Sequence, residues 1–116
     1  MTELGLVINL GLKSVRAIAF DKAGRKLATA SRPIQTFLRD SWIEQDAHEW
    51  WEKTVESTRE ALGTLGRRAS TAFVTVSASA ACLIPVDESG KALRRAIMVS
   101  DRRALAEATE LHRLEP

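Results

Sequence analysis

Features that would assign this chain to a secreted, membrane or nucleic-acid-binding class are scarce. There is one cysteine, Cys82, so no disulfide can form within the chain and a reducing compartment is expected. No apolar run approaches the roughly 20 residues of a membrane span, and the amino-terminal residues lack the basic start and apolar core of a signal peptide. The net charge is only +2, with acidic and basic residues interleaved, which does not favour nucleic-acid binding. We therefore expect a cytoplasmic protein that binds neither membranes nor nucleic acids.

The residues that are present suit a globular chain with a hydrophobic core. The sequence has 116 residues, of which 45% are hydrophobic and 28% charged, values typical of folded domains. This length corresponds to one domain or to part of one.

The first part of the chain predicts a β-hairpin whose turn suits an anion. Apolar runs before Asn9 and after Ser14 flank a short turn that contains Gly11. The turn offers backbone N–H groups, the Ser14 hydroxyl and the cations Lys13 and Arg16, and N–H groups in a turn can form a concave positive nest. The alternative is an ordinary first hairpin with solvated cations.

The middle of the chain predicts a third strand and then a helix. Residues 26–32 form the strand, and Pro33 ends it because proline cannot donate to a β-ladder. Residues 36–45 show less regular patterning. Asp46 and Glu49 can form a capping box for a helix from residue 47 to about residue 62. Its predicted apolar stripe contains four residues, Trp51, Val55, Thr58 and Leu62.

The last part of the chain predicts further strands and a second helix. Residues 69–76 are apolar and β-branched, as in a buried, parallel strand. Short strands follow at residues 83–86 and 93–99, and Ser100 or Asp101 is expected to cap a final helix. The prediction is an α/β fold with an antiparallel three-strand start, then a helix and further strands.

Several separated motifs, in the correct order, resemble the start of the FGGY family of carbohydrate kinases. The family opens with a strand, a phosphate loop of pattern D-x-G-T-x-S-x-K and a second strand that ends near F-D. A third strand, a W-V-E-Q-D-P-x-x-W-W signature, a substrate loop close to V-S-G-Q-M-H-G-L-V-P-L-D and an A-I-L-W-x-D-x-R segment follow. The matching segments here are residues 9–16, 20–21, 24–31, 42–51, 76–87 and 96–103.

This resemblance implies a partial RNase H-like, actin-like ATPase domain. Residues 1–116 would be the first half of the family's amino-terminal domain. The rest of that domain, with the general-base aspartate, and the whole carboxy-terminal domain, with the adenosine pocket, would lie outside the chain. The implied parent enzyme transfers the γ-phosphate of ATP to a sugar or polyol hydroxyl with Mg²⁺. The isolated chain is expected to be inactive and to contain no catalytic residue or metal ligand.

The resemblance also assigns binding residues. The phosphate loop would contribute Asn9, Gly11, Lys13, Ser14 and Arg16, and substrate would contact Ser79, Asp101 and Arg102.

Several positions depart from the family pattern. Asn9 replaces an aspartate that serves the metal shell, and Leu12 replaces a threonine. Residues 79–81, Ser-Ala-Ala, replace Gln-Met-His, and Val99 replaces an aromatic residue.

Two hypotheses remain from the sequence. The chain is either the amino-terminal part of a sugar or polyol kinase, or a non-catalytic remnant that acts as a binding or regulatory module. In both cases an incomplete domain would leave a sheet edge and apolar helix faces uncovered, so we expect the isolated chain to form homo-oligomers.

Overall fold

The computed structural model describes residues 1–115 and divides into two compact units. Unit 1 contains Met1–Gln35 and His48–Ser79, and unit 2 contains Thr36–Ala47 and the segment from Ala80 onward. The elements are β1 (Thr2–Leu10), β2 (Ser14–Asp21), β3 (Lys26–Pro33), β4 (Thr36–Arg39), β5 (Trp42–Gln45), α1 (Ala47–Gly63), a 3₁₀ turn (Gly66–Arg68), β6 (Ala69–Ala78), β7 (Ala96–Ile97) and α2 (Leu105–Leu114). Among residues 1–115, no helix is both long enough and apolar enough to span a membrane.

Unit 1 is built on a four-stranded sheet in the order β3-β2-β1-β6. β2 is antiparallel to both β1 and β3, whereas β6 is parallel to β1. α1 lies between β3 and β6 in the chain. The structure therefore confirms the antiparallel start, the long helix and a parallel strand after it. The expectation that this strand is buried was wrong, because β6 is the edge strand of the sheet and is exposed along nearly its whole length.

The core of unit 1 lies on one face of this sheet. Alternate side chains of β1 and β2 point to that face, because successive residues of a strand face opposite sides. The Ser57 hydroxyl of α1 lies 3.5 Å from the carbonyl oxygen of Val15, so the helix approaches the sheet closely. The buried apolar residues of the cluster are Leu4, Leu6, Ile8, Val15, Ala17, Ala19, Ala30, Ile34 and Ala61.

The buried stripe of α1 differs from the predicted one. Ser57 and Ala61 are the fully buried residues of the helix, and Trp50 packs against the core. Trp51 is 66% exposed, so its assignment to the apolar stripe was wrong. Oε1 of Glu49 accepts the N–H of Gln35 at 3.0 Å, which links α1 to the chain that leaves β3.

Unit 2 contains a small antiparallel sheet in the order β4-β5-β7. The hairpin of β4 and β5 corrects the expectation that residues 36–45 are irregular. Asp40, in its turn, has a positive φ of 51°, a conformation that aspartate tolerates better than most residues. The strand predicted at residues 83–86 is reduced to isolated bridges, Leu83 with Ile97 and Val86 with Ala92.

The last helix begins later than predicted. α2 starts at Leu105 and follows Ala104, not Ser100 or Asp101. The carboxylate of Asp101 binds the N–H groups of Ile43 and Arg103 instead.

Candidate phosphate and substrate site

The turn between β1 and β2 is tight and uses one of its own N–H groups. The Gly11 N–H donates to the carbonyl oxygen of Ser14 at 2.9 Å, and the Ile34 N–H donates to the carbonyl oxygen of Lys13 at 2.9 Å. A Cβ at Gly11 would lie 3.1 Å from the Ser14 oxygen, which explains the glycine. The sequence predicted that backbone N–H groups of the turn bind an anion. Because the Gly11 N–H is already bonded, anion binding at this turn depends more on side chains.

The cationic side chains near the turn are exposed. Lys13 and Arg16 both face solvent and form no ion pair with any other described residue. Ser14 is half-buried. These two free cations and one hydroxyl are the groups that can contact phosphate oxygens directly.

Asn9 and Arg16 belong to a polar row across the sheet. Asn9 pairs with Arg16 of β2 and with Ser77 of β6, and Arg16 pairs with Ser31 of β3. Directly paired residues share a face of the sheet. The row lies on the face away from the core, because the neighbouring residues Ile8 and Val15 point into the core. Sequence reasoning missed Ser77 and Ser31. Ser77 could have been found from its position, because Asn9 and Ser77 are each one residue before the carboxyl end of their strand and the two strands are parallel.

The structure brings Ser79 to the turn between β1 and β2. The Ser79 N–H and its Oγ donate to the carbonyl oxygen of Leu10 at 3.0 and 3.2 Å, across 69 positions of sequence. β1 and β6 are parallel, so their carboxyl ends meet at the same edge. In open α/β sheets, ligands bind in the crevice outside the carboxyl ends of strands. Ser79, Gly11 and Asn9 are thus neighbours at one edge of unit 1.

The loop after Ser79 contains a strained residue. Ala81 has a φ of +62°, and a side chain in the left-handed region costs roughly 1–2 kcal/mol. Such strain concentrates at ligand-binding positions. Ala81 lies in the segment that resembles the substrate loop.

Asp101 lies in unit 2, where its carboxylate is surrounded by donors. Oδ2 accepts the Ile43 N–H at 2.6 Å, and Oδ1 accepts the N–H and the Nε of Arg103, both at 2.9 Å. Nη2 of Arg103 completes the pair with Oδ2 at 2.6 Å. The hydrogen bonds from the Arg103 side chain hold the pKa of Asp101 well below its ordinary range, although burial opposes them. The carboxylate therefore has a structural role, and its predicted contact with substrate stays a prediction.

Glu44 joins the same network, whereas Arg102 does not. Oε2 of Glu44 accepts Nη2 of Arg103 at 2.8 Å and Nη2 of Arg94 at 2.6 Å. These two arginines, Arg103 foremost, lower the pKa of Glu44. Arg102 is exposed, and its backbone N–H donates to the carbonyl oxygen of Ser41 at 2.9 Å. Its guanidinium remains available to a ligand.

The described residues do not form a magnesium site by themselves. Magnesium is usually held by one or two carboxylates together with substrate phosphates. Within residues 1–115, no group of three or more histidine, cysteine, aspartate or glutamate side chains is placed to hold a metal ion. At the turn, Asn9 offers a neutral amide in place of a carboxylate.

A family model and individual known proteins indicate the same family for this chain. The model of the FGGY family of carbohydrate kinases, N-terminal domain, matches residues 4–115. The glycerol kinase of Bordetella pertussis is 36% identical over 112 residues, which are 94% of this chain and 22% of that protein. The glycerol kinase of Rhodospirillum rubrum is 34% identical over 109 residues, 91% of this chain and 22% of that protein.

Solved structures share the fold. The xylulose kinase of Rhodospirillum rubrum superposes with a TM-score of 0.89 at 27% identity, over 92% of this chain and 22% of that chain. The gluconate kinase of Lactobacillus acidophilus superposes with a TM-score of 0.90 at 14% identity, over 97% of this chain and 23% of that one. This chain therefore spans less than a quarter of the length of these relatives.

Proposed function

Because the chain belongs to the FGGY family of carbohydrate kinases, we propose that it is the amino-terminal part of a longer ATP-dependent kinase. Residues 1–116 are the first half of the amino-terminal domain in this proposal. The substrate is a sugar or polyol, and the enzyme is cytoplasmic. The relatives named above as glycerol and xylulose kinases support this substrate class.

The observation that supports the proposal best is the contact between Ser79 and the turn that joins β1 and β2, the phosphate turn of this proposal. The two motifs are far apart in sequence, yet Ser79 bonds to Leu10 directly before the turn. A phosphate donor and a hydroxyl acceptor must lie side by side for transfer, because phosphoryl transfer depends on positioning and charge stabilisation. The edge where β1 and β6 end offers both kinds of contact.

Each residue has a role in this proposal. Lys13 and Arg16 bind phosphate oxygens through charge, and Ser14 and Asn9 bind them through hydrogen bonds. Gly11 keeps the turn tight, because a Cβ there would crowd the carbonyl oxygen of Ser14. At the acceptor, Ser79, Asp101 and Arg102 bind hydroxyl groups of the sugar or polyol.

The transfer step needs groups beyond this chain. The acceptor hydroxyl attacks the γ-phosphorus, its proton passes to a base, and the bond from phosphorus to the β–γ bridging oxygen breaks. Mg²⁺, when bound with ATP, neutralises the phosphate charge. In this proposal the base and the adenosine pocket lie in the rest of the longer protein, since this chain covers only 22% of the length of a glycerol kinase that it resembles. We therefore expect the isolated chain to be inactive.

A second candidate function is a non-catalytic binding or regulatory module. It is supported by Asn9, which brings no negative charge toward a metal, and by Leu12, which brings no hydroxyl toward the phosphates. Ala80 and Ala81 likewise replace polar or larger side chains of the family's substrate loop.

The two candidates are distinguished by assaying the full-length gene product that contains this chain. ATP-dependent phosphorylation is measured with glycerol, xylulose and gluconate as acceptors. We expect activity with at least one acceptor, and about a tenfold rise in the KM for ATP in Lys13→Gln, since a charged hydrogen bond contributes roughly 1.5–3 kcal/mol.

Lys22→Gln removes the same charge at the opposite end of β2 and is expected to leave the KM unchanged. A full-length protein with no ATP-dependent phosphorylation on a broad sugar and polyol panel would overturn the kinase proposal in favour of the module.

A further inference from the structure

One face of the β4–β5 hairpin in unit 2 combines aromatic rings with arginines. Phe37 and Arg39 are two positions apart on β4, so their side chains share a face. Directly opposite on β5 are Glu44, paired with Phe37, and Trp42, paired with Arg39. We call these four side chains the hairpin face.

Arginine side chains lie on both rings of the hairpin face. The guanidinium carbon of Arg95 lies 3.4 Å from the centroid of the Phe37 ring. Those of Arg103 and Arg39 lie 4.2 and 5.7 Å from the centroid of Trp42. A stacked guanidinium keeps its N–H donors in the plane of the group and directed outward, so stacking orients these donors at little further entropic cost.

Arg39 and Arg95 have no carboxylate partner among the described residues. The carboxylate of the hairpin face, Glu44, is 9% exposed and is already bound by Arg94 and Arg103. Its lowered pKa reflects those two bonds. The negative charge of Glu44 is therefore already matched by Arg94 and Arg103, and does not neutralise Arg39 or Arg95. The hairpin face therefore carries an excess of positive charge.

A cavity lies between these groups. Its volume is about 390 Å³, and its lining includes Arg39, Arg95, Phe37, Trp42 and Glu44. Ligand pockets span roughly 300–1,000 Å³ and combine an apolar wall with a few convergent polar groups. The two rings supply the wall, and the two unpaired guanidiniums supply the convergent donors.

We propose that the hairpin face binds a small organic anion. One oxyanion group, a carboxylate or a phosphate, is held by Arg39 and Arg95, because both groups match the fork of guanidinium donors. The carbon skeleton of the ligand packs against Phe37 and Trp42. The residues of this site all belong to unit 2, whereas Lys13 and Arg16, which are proposed to contact ATP, belong to unit 1.

The test is calorimetric titration of the whole 116-residue chain at low ionic strength with sodium phenyl phosphate and, separately, with sodium benzoate, each of which has one oxyanion group and an apolar ring. We expect saturable binding of one equivalent of at least one probe, weakened by added salt because exposed charges are screened. Arg39→Gln and Arg95→Gln should each weaken binding about tenfold or more, as expected for a charged hydrogen bond. The tighter probe identifies the preferred group, phosphate or carboxylate.

Arg67→Gln is the matched control, because Arg67 is an exposed arginine of unit 1 without an ion pair among the described residues. It should leave the affinity unchanged. Absence of saturable binding of both probes, or binding that neither Arg39→Gln nor Arg95→Gln weakens, would overturn the proposal. An equal loss of affinity in Arg67→Gln and in the two hairpin variants would overturn it too, because that result indicates a diffuse charge effect. Thermal melts of each variant establish that a loss of binding is not a loss of folding.

Discussion

At the scale of single residues, Asp101 and Arg103 join segments of unit 2 that are far apart in the chain. Asp101 binds the Ile43 N–H across 58 positions of sequence, and Arg103 binds Glu44 across 59. The side chain of Asp101 is 2% exposed and that of Arg103 is 17% exposed. Removing one partner of such a pair leaves the other buried without compensation, which costs more than the intact pair contributes. The W-x-E and D-x-R motifs of the sequence thus fix the hairpin to the segment before α2.

The first prediction concerns the pH dependence of this network. The pKa values of Asp101 and Glu44 are both lowered in the folded chain, by hydrogen bonds from Arg103 first of all. Their ordinary values are about 3.9 and 4.3. A lowered pKa contributes stability that is present above the ordinary value and is lost as the pH falls toward the folded value. We expect the free energy of unfolding to decrease from about pH 4 downward.

Urea unfolding of wild type and Asp101→Asn between pH 7 and pH 2 measures this effect. Asp101→Asn should be less stable at pH 7, and the difference from wild type should shrink below about pH 4. Glu88→Gln removes an exposed carboxylate that has no hydrogen bond among the described residues, and its difference from wild type should stay constant. A pH-independent difference for Asp101→Asn would show that charge does not explain the contribution of this residue.

At the scale of secondary structure, hydrophobic patterning predicted the longer elements and missed the short ones. β1, β2, β3, α1 and β6 each have enough residues for their periodicity to be recognised. β4 and β5 have four residues each, too few for alternation to be distinguished from irregular chain. They pair with one another across a two-residue turn, and they are held in place by β7 and by the Asp101 network, neither of which is adjacent to them in sequence.

The helix shows a second limit of patterning. The stripe predicted for α1 was anchored on the large side chain of Trp51, but the helix contacts the sheet through Ser57 and Ala61. Small residues let a helix lie close to a sheet, and periodicity weighted by hydrophobicity undervalues them. Trp50, one position earlier, points toward the core, and Thr54 lies on the same line at helical spacing.

The second prediction compares the two neighbouring tryptophans. Trp50→Ala should lower the free energy of unfolding by about 2 kcal/mol, because a fully buried tryptophan costs roughly 3–5 kcal/mol on truncation and Trp50 is half-buried. Trp51→Ala should change it by less than about 0.5 kcal/mol, as is usual for exposed positions. Denaturant unfolding followed by far-UV circular dichroism measures both. Equal costs for the two variants would contradict the observed register of α1.

At the scale of the whole chain, the sequence could predict the family, but not the geometry of the candidate site. Gly11, Lys13 and Ser79 are candidate residues because they lie in segments that resemble family motifs. The contact of Ser79 with Leu10 could not, since it depends on the parallel register of β1 and β6. The structural role of Asp101 was equally hidden, because its acceptor role involves Ile43 in a hairpin that patterning did not detect.

The edge strand of unit 1 has a sequence that complements itself. β6 forms the open edge of the sheet, opposite β3, and has ten residues without charge, proline or glycine. In a symmetric antiparallel pair of two β6 strands, the axis must pass at a residue, because directly paired side chains share a face. Centred on Val74, such a pair places Val74 opposite Val74 of the second copy and Phe73 opposite Thr75. Phe73, Val74 and Val76 are 58–60% exposed. Long, apolar and uncharged edges without protective residues pair with other strands.

We therefore predict that the 116-residue chain forms a symmetric dimer through antiparallel pairing of β6 with a second copy, an isologous contact. Light scattering over a concentration series should show a monomer–dimer equilibrium. Val74→Lys should shift it to monomer, because it places two like charges directly opposite one another in the pair, whereas Val74→Ala should weaken it only slightly. Leu93→Lys, at a 67% exposed position of unit 2, is the control and should leave the equilibrium unchanged. A strictly monomeric wild-type chain at high concentration, or a dimer that Val74→Lys does not weaken, would contradict pairing through β6.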